Sequence, residues 1–136
     1  MKYGGLIIEH KEYDKLIQFI GMGHHRRDET YQASVNKILD ELKSAKKLSL
    51  DKMPEDVVRF NSVVEISFPN GNKRTLQIVS PNNGDVALNK ISILAPMSLA
   101  LFGYAADDEV MWQFPSGVQA IKILKVDQMT VEPKSA

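Results

Sequence analysis

The residues best suited to chemistry are concentrated in one short segment of the sequence, between two helical patterns. This segment contains, in order, His24, His25, Arg26, Arg27, Asp28 and Glu29. Neighbouring histidine side chains do not converge on one ion, and the two adjacent guanidinium groups repel a cation. We therefore interpret the segment as the solvated polar tip of a hairpin and predict no metal site there.

The rest of the sequence contains none of the usual catalytic motifs. It has no cysteine, which excludes disulfides and thiolate catalysis. No serine stands in a Gly-x-Ser-x-Gly elbow, and no glycine-rich phosphate loop follows a strand. The acidic run from Asp107 to Glu109 lacks the alternating spacing of a calcium loop and is typical of a solvated turn. We predict a protein that is not an enzyme, with no cofactor and no small-molecule substrate.

The composition limits the class of partner. The 136 residues are 43% hydrophobic and 25% charged, with 17 basic and 17 acidic side chains. Coating nucleic acid requires a surplus of lysine and arginine, so this balance favours a protein partner. The apolar run Leu6–Ile8 is too short for a signal peptide or a membrane span. We therefore expect no membrane partner and a cytoplasmic location.

The first part of the sequence has helical periodicity. Apolar residues recur at helical spacing in two stretches separated by Gly21–Asp28. These two stripes are Tyr13, Leu16, Ile17 and Ile20, followed by Tyr31, Val35, Ile38, Leu39, Leu42 and Ala45. Two such amphipathic helices bury their stripes against each other. Residues 1–52 are therefore predicted to form a short antiparallel helical hairpin, a small coiled coil.

After Met53 the hydrophobic period becomes two. Val64, Ile66 and Phe68 alternate with polar residues, and the Asn70-Gly71 pair that follows is a strong hairpin signal. The same pattern recurs to Val126, which indicates about five strands with a short helix near residues 97–102. The predicted class is therefore α+β. We divide the chain into the hairpin, a β-rich domain over residues 53–129 and a tail over residues 130–136.

One stretch, Ile91–Gly103, is too apolar for an ordinary loop, although Pro96 interrupts it. Its strand and helix residues are expected to enter the core. The residues at the junction are Leu94, Ala95, Pro96 and Met97. For these, the pattern leaves burial and an exposed docking edge open. Pro96 restricts the backbone before binding, which suits protein recognition.

These residues also resemble a known family, the GreA/GreB transcription elongation factors. The similar segments are Val58–Val64, Gln77–Pro81, Ile91–Ile93, Pro96, Ala100–Gly103, Asp108–Val110 and Pro115–Gly117. They occur in the family's order and cover about residues 53–126. Within the family, Met53–Val58 and the alanine of Leu94-Ala95-Pro96 are similar to the Rnk branch. The resemblance implies an FKBP-like fold, in which a curved antiparallel sheet covers a short helix.

The resemblance also implies a bacterial protein with a partner, RNA polymerase, and a docking site at the rim of the polymerase secondary channel. The residues expected at the contact are Ser92, Leu94, Ala95, Pro96 and Met97. DNA would be approached only indirectly, through the polymerase complex. By occupying the channel mouth, the protein would compete with longer channel-binding factors.

In the family's cleavage factors, a long hairpin carries Asp-x-x-Glu at its tip, and these carboxylates help to hold a magnesium ion. Here Asp28 is followed three positions later by Tyr31, and Glu29 by Gln32. The predicted first helix spans only about 17 Å at 1.5 Å per residue. We therefore expect no stimulation of transcript cleavage, with a true cleavage factor as the alternative. A peptidyl-prolyl isomerase is a second alternative suggested by the implied fold, although Trp112 predicts a poor pocket.

Overall fold

The predicted change from helices to strands is present in the computed structural model, which describes residues 2–22, 29–114 and 117–129. No helix in these ranges is long and apolar enough to cross a membrane. The elements are β1 (Ile7–Glu9), α1 (His10–Met22), α2 (Glu29–Leu42), β2 (Lys46–Leu48), β3 (Val63–Ser67), β4 (Lys73–Val79), β5 (Lys90–Ser92), α3 (Pro96–Leu101), β6 (Glu109–Phe114) and β7 (Gly117–Asp127). The predicted α+β class is confirmed.

Helix α1 begins at a side-chain cap supplied by the last residue of β1. The carboxylate of Glu9 accepts the backbone N–H groups of Lys11 and Glu12, both at 3.1 Å. These N–H groups have no acceptor within the helix, and a negative charge is favourable at a helix N-terminus. Glu9 is itself buried, so the cap also joins α1 to the interior.

The two predicted helical stripes are present, with one exposed residue in each. Ile17 on α1 and Leu39 on α2 are 40% and 38% exposed, whereas the sequence pattern placed both in the stripe. Phe19 is partly buried and packs against the core. The periodicity therefore located both helices but misplaced the edge of each buried face by about one residue.

A small parallel sheet holds the start of the chain against the end of the helical part, and no sequence pattern predicts it. Strand β1 pairs with β2, with Ile7 opposite Lys46. The N–H of Ile7 also donates to the carbonyl of Gly103 at 3.2 Å, which connects β1 to the segment after α3. Parallel strands separated by a whole helical hairpin have no local turn signature. Periodicity therefore could not reveal them.

Within the described residues the main sheet has five strands, in the order β5-β4-β3-β7-β6. Its hairpins are antiparallel as predicted, and the Asn70-Gly71 turn joins β3 to β4 with Gly71 at φ +89°. Strand β5, in contrast, runs parallel to β4. The sheet is therefore antiparallel apart from this edge strand, since residues 80–89 carry the chain back to the level of Gln77 before β5 begins.

The core is continuous between the helices and the main sheet. Phe60 links the two parts, with its ring edge-to-face against Phe19 of α1 at 5.9 Å and against Phe102 at 5.2 Å. The same cluster of buried residues includes Leu16 and Ile38 from the two helices. Helix α2 packs along α3. The two helices are therefore held on the β-rich part by shared burial and not only by the linker.

Candidate functional site

The segment predicted to contact a partner forms a tight turn, Ser92–Met97, between β5 and α3. Ser92 shapes the turn, because its Oγ accepts the Leu94 N–H at 3.0 Å and its carbonyl oxygen accepts the Ala95 N–H at 2.9 Å. Pro96 is the first residue of α3, where a missing N–H breaks no helical hydrogen bond and its fixed φ suits the helix. Local bonds therefore hold this backbone in place before any partner arrives.

The sequence left open whether the turn is buried or forms an exposed docking edge. Its exposure in the structure is intermediate. Ser92, Leu94, Ala95, Pro96 and Met97 are all half-buried. The side chains of Leu94 and Met97 pack partly against the core. None of the five carries a charge or a titratable group. The turn therefore presents an apolar surface of defined shape, which suits recognition of a protein and not catalysis.

Directly behind the turn, Ser98 has a buried hydroxyl with no hydrogen-bond partner in the described part of the chain. An unsatisfied buried hydroxyl is unfavourable. We expect Ser98→Ala to leave the free energy of unfolding unchanged or to raise it by up to about 1 kcal/mol, measured by urea denaturation.

Ser62 provides the matched control, since it is also fully buried. Its Oγ accepts the Arg59 N–H at 2.8 Å and donates to the Oε1 of Gln128 at 2.7 Å. Ser62→Ala should therefore cost about 1–3 kcal/mol. A loss of that size for Ser98→Ala would mean that the Ser98 hydroxyl does have a partner.

At the predicted hairpin tip, the structure describes only Glu29. It is exposed and lies in the first turn of α2. His24, His25, Arg26, Arg27 and Asp28 lie outside the described residues. Helices α1 and α2 have 13 and 14 residues, so each is about 20 Å long at 1.5 Å per residue. Across the described ranges, no three histidine, aspartate or glutamate side chains are grouped to hold a metal ion.

A polar cluster that the sequence did not indicate joins α2 to the β-rich part. The hydroxyl of Tyr104 donates to the Oε2 of Glu41, and Lys37 Nζ donates to that hydroxyl at 2.9 Å. Lys37 Nζ also lies 3.2 Å from both carboxylate oxygens of Glu41. Burial, and secondly the neighbouring Glu41 carboxylate, raise the pKa of Tyr104 above its ordinary value of 10.0. The cluster therefore holds α2 in a defined position.

We expect Tyr104→Phe to lower the free energy of unfolding by about 1–2 kcal/mol at neutral pH, because it removes the hydroxyl between Lys37 and Glu41. The pKa of Tyr104 is raised by folding. Its contribution is therefore complete below the ordinary value of 10.0 and is lost as the pH rises through the folded value. Urea denaturation at neutral and alkaline pH should show the difference between wild type and variant shrinking above about pH 10. A difference that does not change with pH would contradict this account.

Trp112, which the sequence analysis considered only as a poor isomerase pocket, lines a groove on the protein surface. A groove of about 400 Å³ runs between α2 and β6, here called the α2–β6 groove. No sequence pattern predicts this groove, although Trp112 is the single tryptophan of the chain. Its lining residues come from distant parts of the sequence: Glu29, Ala33, Ser34, Lys37, Ala100, Met111, Trp112, Gln113 and Val118.

Comparison with known families matches the part of the chain that contains the Ser92–Met97 turn. The family model described as "Transcription elongation factor, GreA/GreB, C-term" matches residues 53–128, more than half of the chain. The match includes β3 to β7 and α3. It therefore contains both elements that flank the turn, β5 and α3.

Individual relatives agree with this match. The "Regulator of nucleoside diphosphate kinase" of Escherichia coli K12 is 32% identical over 97 residues, which cover 71% of this chain and 70% of that protein. The "Transcription elongation factor GreA" of Rhodopseudomonas palustris TIE-1 is 31% identical over 97 residues, and the match spans only 61% of its length. Among solved structures, a GreA/GreB transcription elongation factor from Nitrosomonas europaea superposes with a TM-score of 0.69 at 27% identity, covering 90% of this chain and 98% of that one.

Proposed function

The chain belongs to the GreA/GreB family of transcription elongation factors, and from this we propose that it regulates transcription by binding RNA polymerase. The partner is proposed from the family, whose named members are transcription elongation factors. Polymerase binding places the protein in the bacterial cytoplasm, and its approach to DNA is indirect, through the polymerase complex.

The proposed contact is the Ser92–Met97 turn. The observation that carries this assignment is the turn's combination of rigidity and partial exposure. Ser92 and Pro96 hold the backbone, while Leu94 and Met97 keep apolar surface at the protein's exterior. A preorganised apolar contact loses little conformational entropy on binding. The turn also lies inside the segment that matches the family model.

We further propose that the protein binds without stimulating transcript cleavage and performs no chemistry of its own. Helices of 13 and 14 residues suit a position at the mouth of a channel and not deep inside a large partner. The sequence places no carboxylate three positions after Asp28 or Glu29. Two carboxylates on one helix face can hold a magnesium ion together, and this spacing provides no such pair.

A pull-down with core RNA polymerase at moderate salt tests the contact. We expect binding by wild type and a loss of at least about tenfold in affinity when Pro96→Asp and Met97→Asp are combined, because two buried charges would enter an apolar contact. The matched control combines Leu50→Asp and Met129→Asp, two exposed apolar residues away from the turn. Absence of wild-type binding, or equal binding by both folded double variants, would refute the proposed contact.

A transcript-cleavage assay on stalled elongation complexes tests the second part. We expect no stimulation by wild type, together with reduced cleavage by an added cleavage factor, because both occupy the same channel. If wild type does stimulate cleavage, and Asp28→Ala with Glu29→Ala abolishes it, the protein is a cleavage factor and our proposal is wrong.

A further inference from the structure

The two edges of the main sheet are protected to different degrees. Strand β5 has only three residues, contains Lys90 and is bridged on its outer side by Asp85, with N–H to O distances of 2.8 and 2.9 Å. Strand β6 has six residues, with one charged residue, Glu109, and neither lysine nor proline. Natural edge strands are usually shortened, charged or covered, which prevents unwanted pairing. Among the described residues no strand pairs with the outer side of β6, as expected of a strand that receives another strand.

The backbone register indicates which groups of β6 face outward. The N–H of Ile123 donates to the carbonyl of Asp108 at 2.9 Å, next to the paired residues Val110 and Ile121. Antiparallel strands alternate residues that bond to the partner with residues that do not. Val110 and Trp112 therefore bond to β7, whereas Glu109 and Met111 direct their backbone groups to the outer edge. These are the groups that an added strand would use.

The α2–β6 groove lies beside this edge. Ala33 of α2 and Ala100 of α3 have small side chains that leave a recess beside the half-buried ring of Trp112. A strand edge faced by a helix, with an apolar recess between them, is the arrangement in which extended peptides add to a sheet. Main-chain hydrogen bonds supply affinity in that mode, and the recess selects alternate side chains.

We propose that the α2–β6 groove binds an extended, basic peptide segment of a protein partner, which pairs with β6 as a sixth strand. The charge of the groove supports a basic ligand. Lys37 Nζ is held by Glu41 and Tyr104, which leaves the carboxylate of Glu29 as the charge offered by the α2 wall. A second copy of the chain fits less well, since its own β6 carries Glu109 and no basic residue to complement Glu29. This proposal is independent of polymerase binding.

Trp112 provides a direct readout, because it is the single tryptophan of the chain and lines the groove. The probes are blocked peptides of sequence Lys-Thr-X-Thr-X-Thr-Lys, with X as valine, isoleucine, leucine or phenylalanine. We expect at least one to bind the full chain with 1:1 stoichiometry, shift the Trp112 emission to shorter wavelength and slow hydrogen exchange at the Met111 amide. The version with glutamate in place of lysine should bind at least about tenfold more weakly.

Two variants and one control link any binding to the groove. Ala33→Leu fills the recess and should weaken binding at least about tenfold, whereas Asn36→Leu adds the same side chain to α2 at an exposed position outside the groove. Glu29→Lys should reverse the preference between the lysine and glutamate peptides.

Several results would overturn the proposal. These are no response to any of the four probes at millimolar concentration, binding unaffected by Ala33→Leu, and a charge preference unchanged by Glu29→Lys. Sedimentation analysis adds one more. A dimer that Ala33→Leu dissociates and Asn36→Leu does not would identify a second copy as the occupant in place of a peptide. None of these measurements requires polymerase, so failure here leaves the pull-down result unaffected.

Discussion

Replacing Arg59 with methionine should lower the free energy of unfolding by about 3–5 kcal/mol at neutral pH. Arg59 forms a two-bond ion pair with Glu12 of α1, with Nε to Oε1 at 2.9 Å and Nη2 to Oε2 at 3.2 Å. The two side chains are only 18% and 14% exposed. The substitution keeps most of the apolar stem but leaves the Glu12 carboxylate poorly hydrated and without its counter-charge. Urea denaturation measures the loss.

The size of this loss should depend on pH in a defined direction. Burial raises the pKa of Glu12 above its ordinary value of 4.5 and outweighs the opposing effect of Arg59. A raised carboxyl pKa means that the contribution to stability is complete below the ordinary pKa and is lost as the pH rises through the folded value. Without Arg59 the folded pKa rises further. The destabilisation by Arg59→Met should therefore be larger at about pH 7 than at about pH 4.

A double-mutant cycle separates the ion pair from the packing around it. Replacing both partners, with Glu12→Leu and Arg59→Met together, removes both buried charges, and such replacements are often close to neutral. The double variant should therefore be more stable than Arg59→Met alone. If the two substitutions simply add, or if Arg59→Met costs no more than an exposed ion pair, Glu12 is adequately hydrated and our account of this contact is wrong.

The second large effect is expected at Gly103, in the segment after α3. Gly103 has φ +84°, and a Cβ there would lie 3.2 Å from the Cβ of Leu6, which is buried. The left-handed conformation costs a residue with a side chain about 1–2 kcal/mol, and overpacking adds about 1–3 kcal/mol. Gly103→Ala should therefore lower the free energy of unfolding by about 2–5 kcal/mol in urea denaturation.

Gly71 separates the two contributions. It has a similar φ of +89°, but nothing lies within 4 Å of a Cβ added there. Gly71→Ala should cost only the conformational part, about 1–2 kcal/mol. The excess at Gly103 then measures how closely β1 approaches the segment after α3. Equal losses at the two glycines would show that Leu6 can move aside at no cost.

Hydrophobic periodicity was sufficient to place most elements of this fold. Both helical stripes, the alternating β3 residues and the Asn70-Gly71 turn appear where they were predicted. The errors at Ile17 and Leu39 are of one kind. Both residues lie at the edge of a helical face, and how much of that edge is covered depends on the packed neighbour and not on the helix's own sequence.

The candidate sites differ in how far the sequence revealed them. The Ser92–Met97 turn could be singled out from its apolar run and Pro96, and family resemblance supplied the partner to propose for it. Its half-buried state depends on Leu94 and Met97 packing against the core, which the sequence left open. The α2–β6 groove had a single possible signal, the tryptophan at position 112, and a lone tryptophan does not indicate which distant residues will pack beside it.

The sequence alone determined the order and type of the main elements, because the period of apolar residues reports which side of each element is buried. The tertiary structure decided which element covers that side. Glu12 and Arg59 are 47 residues apart, Glu41 and Tyr104 are 63 apart, and β1 pairs with β2 across the whole hairpin. Such contacts depend on how the chain closes over long distances, and no local pattern encodes their geometry.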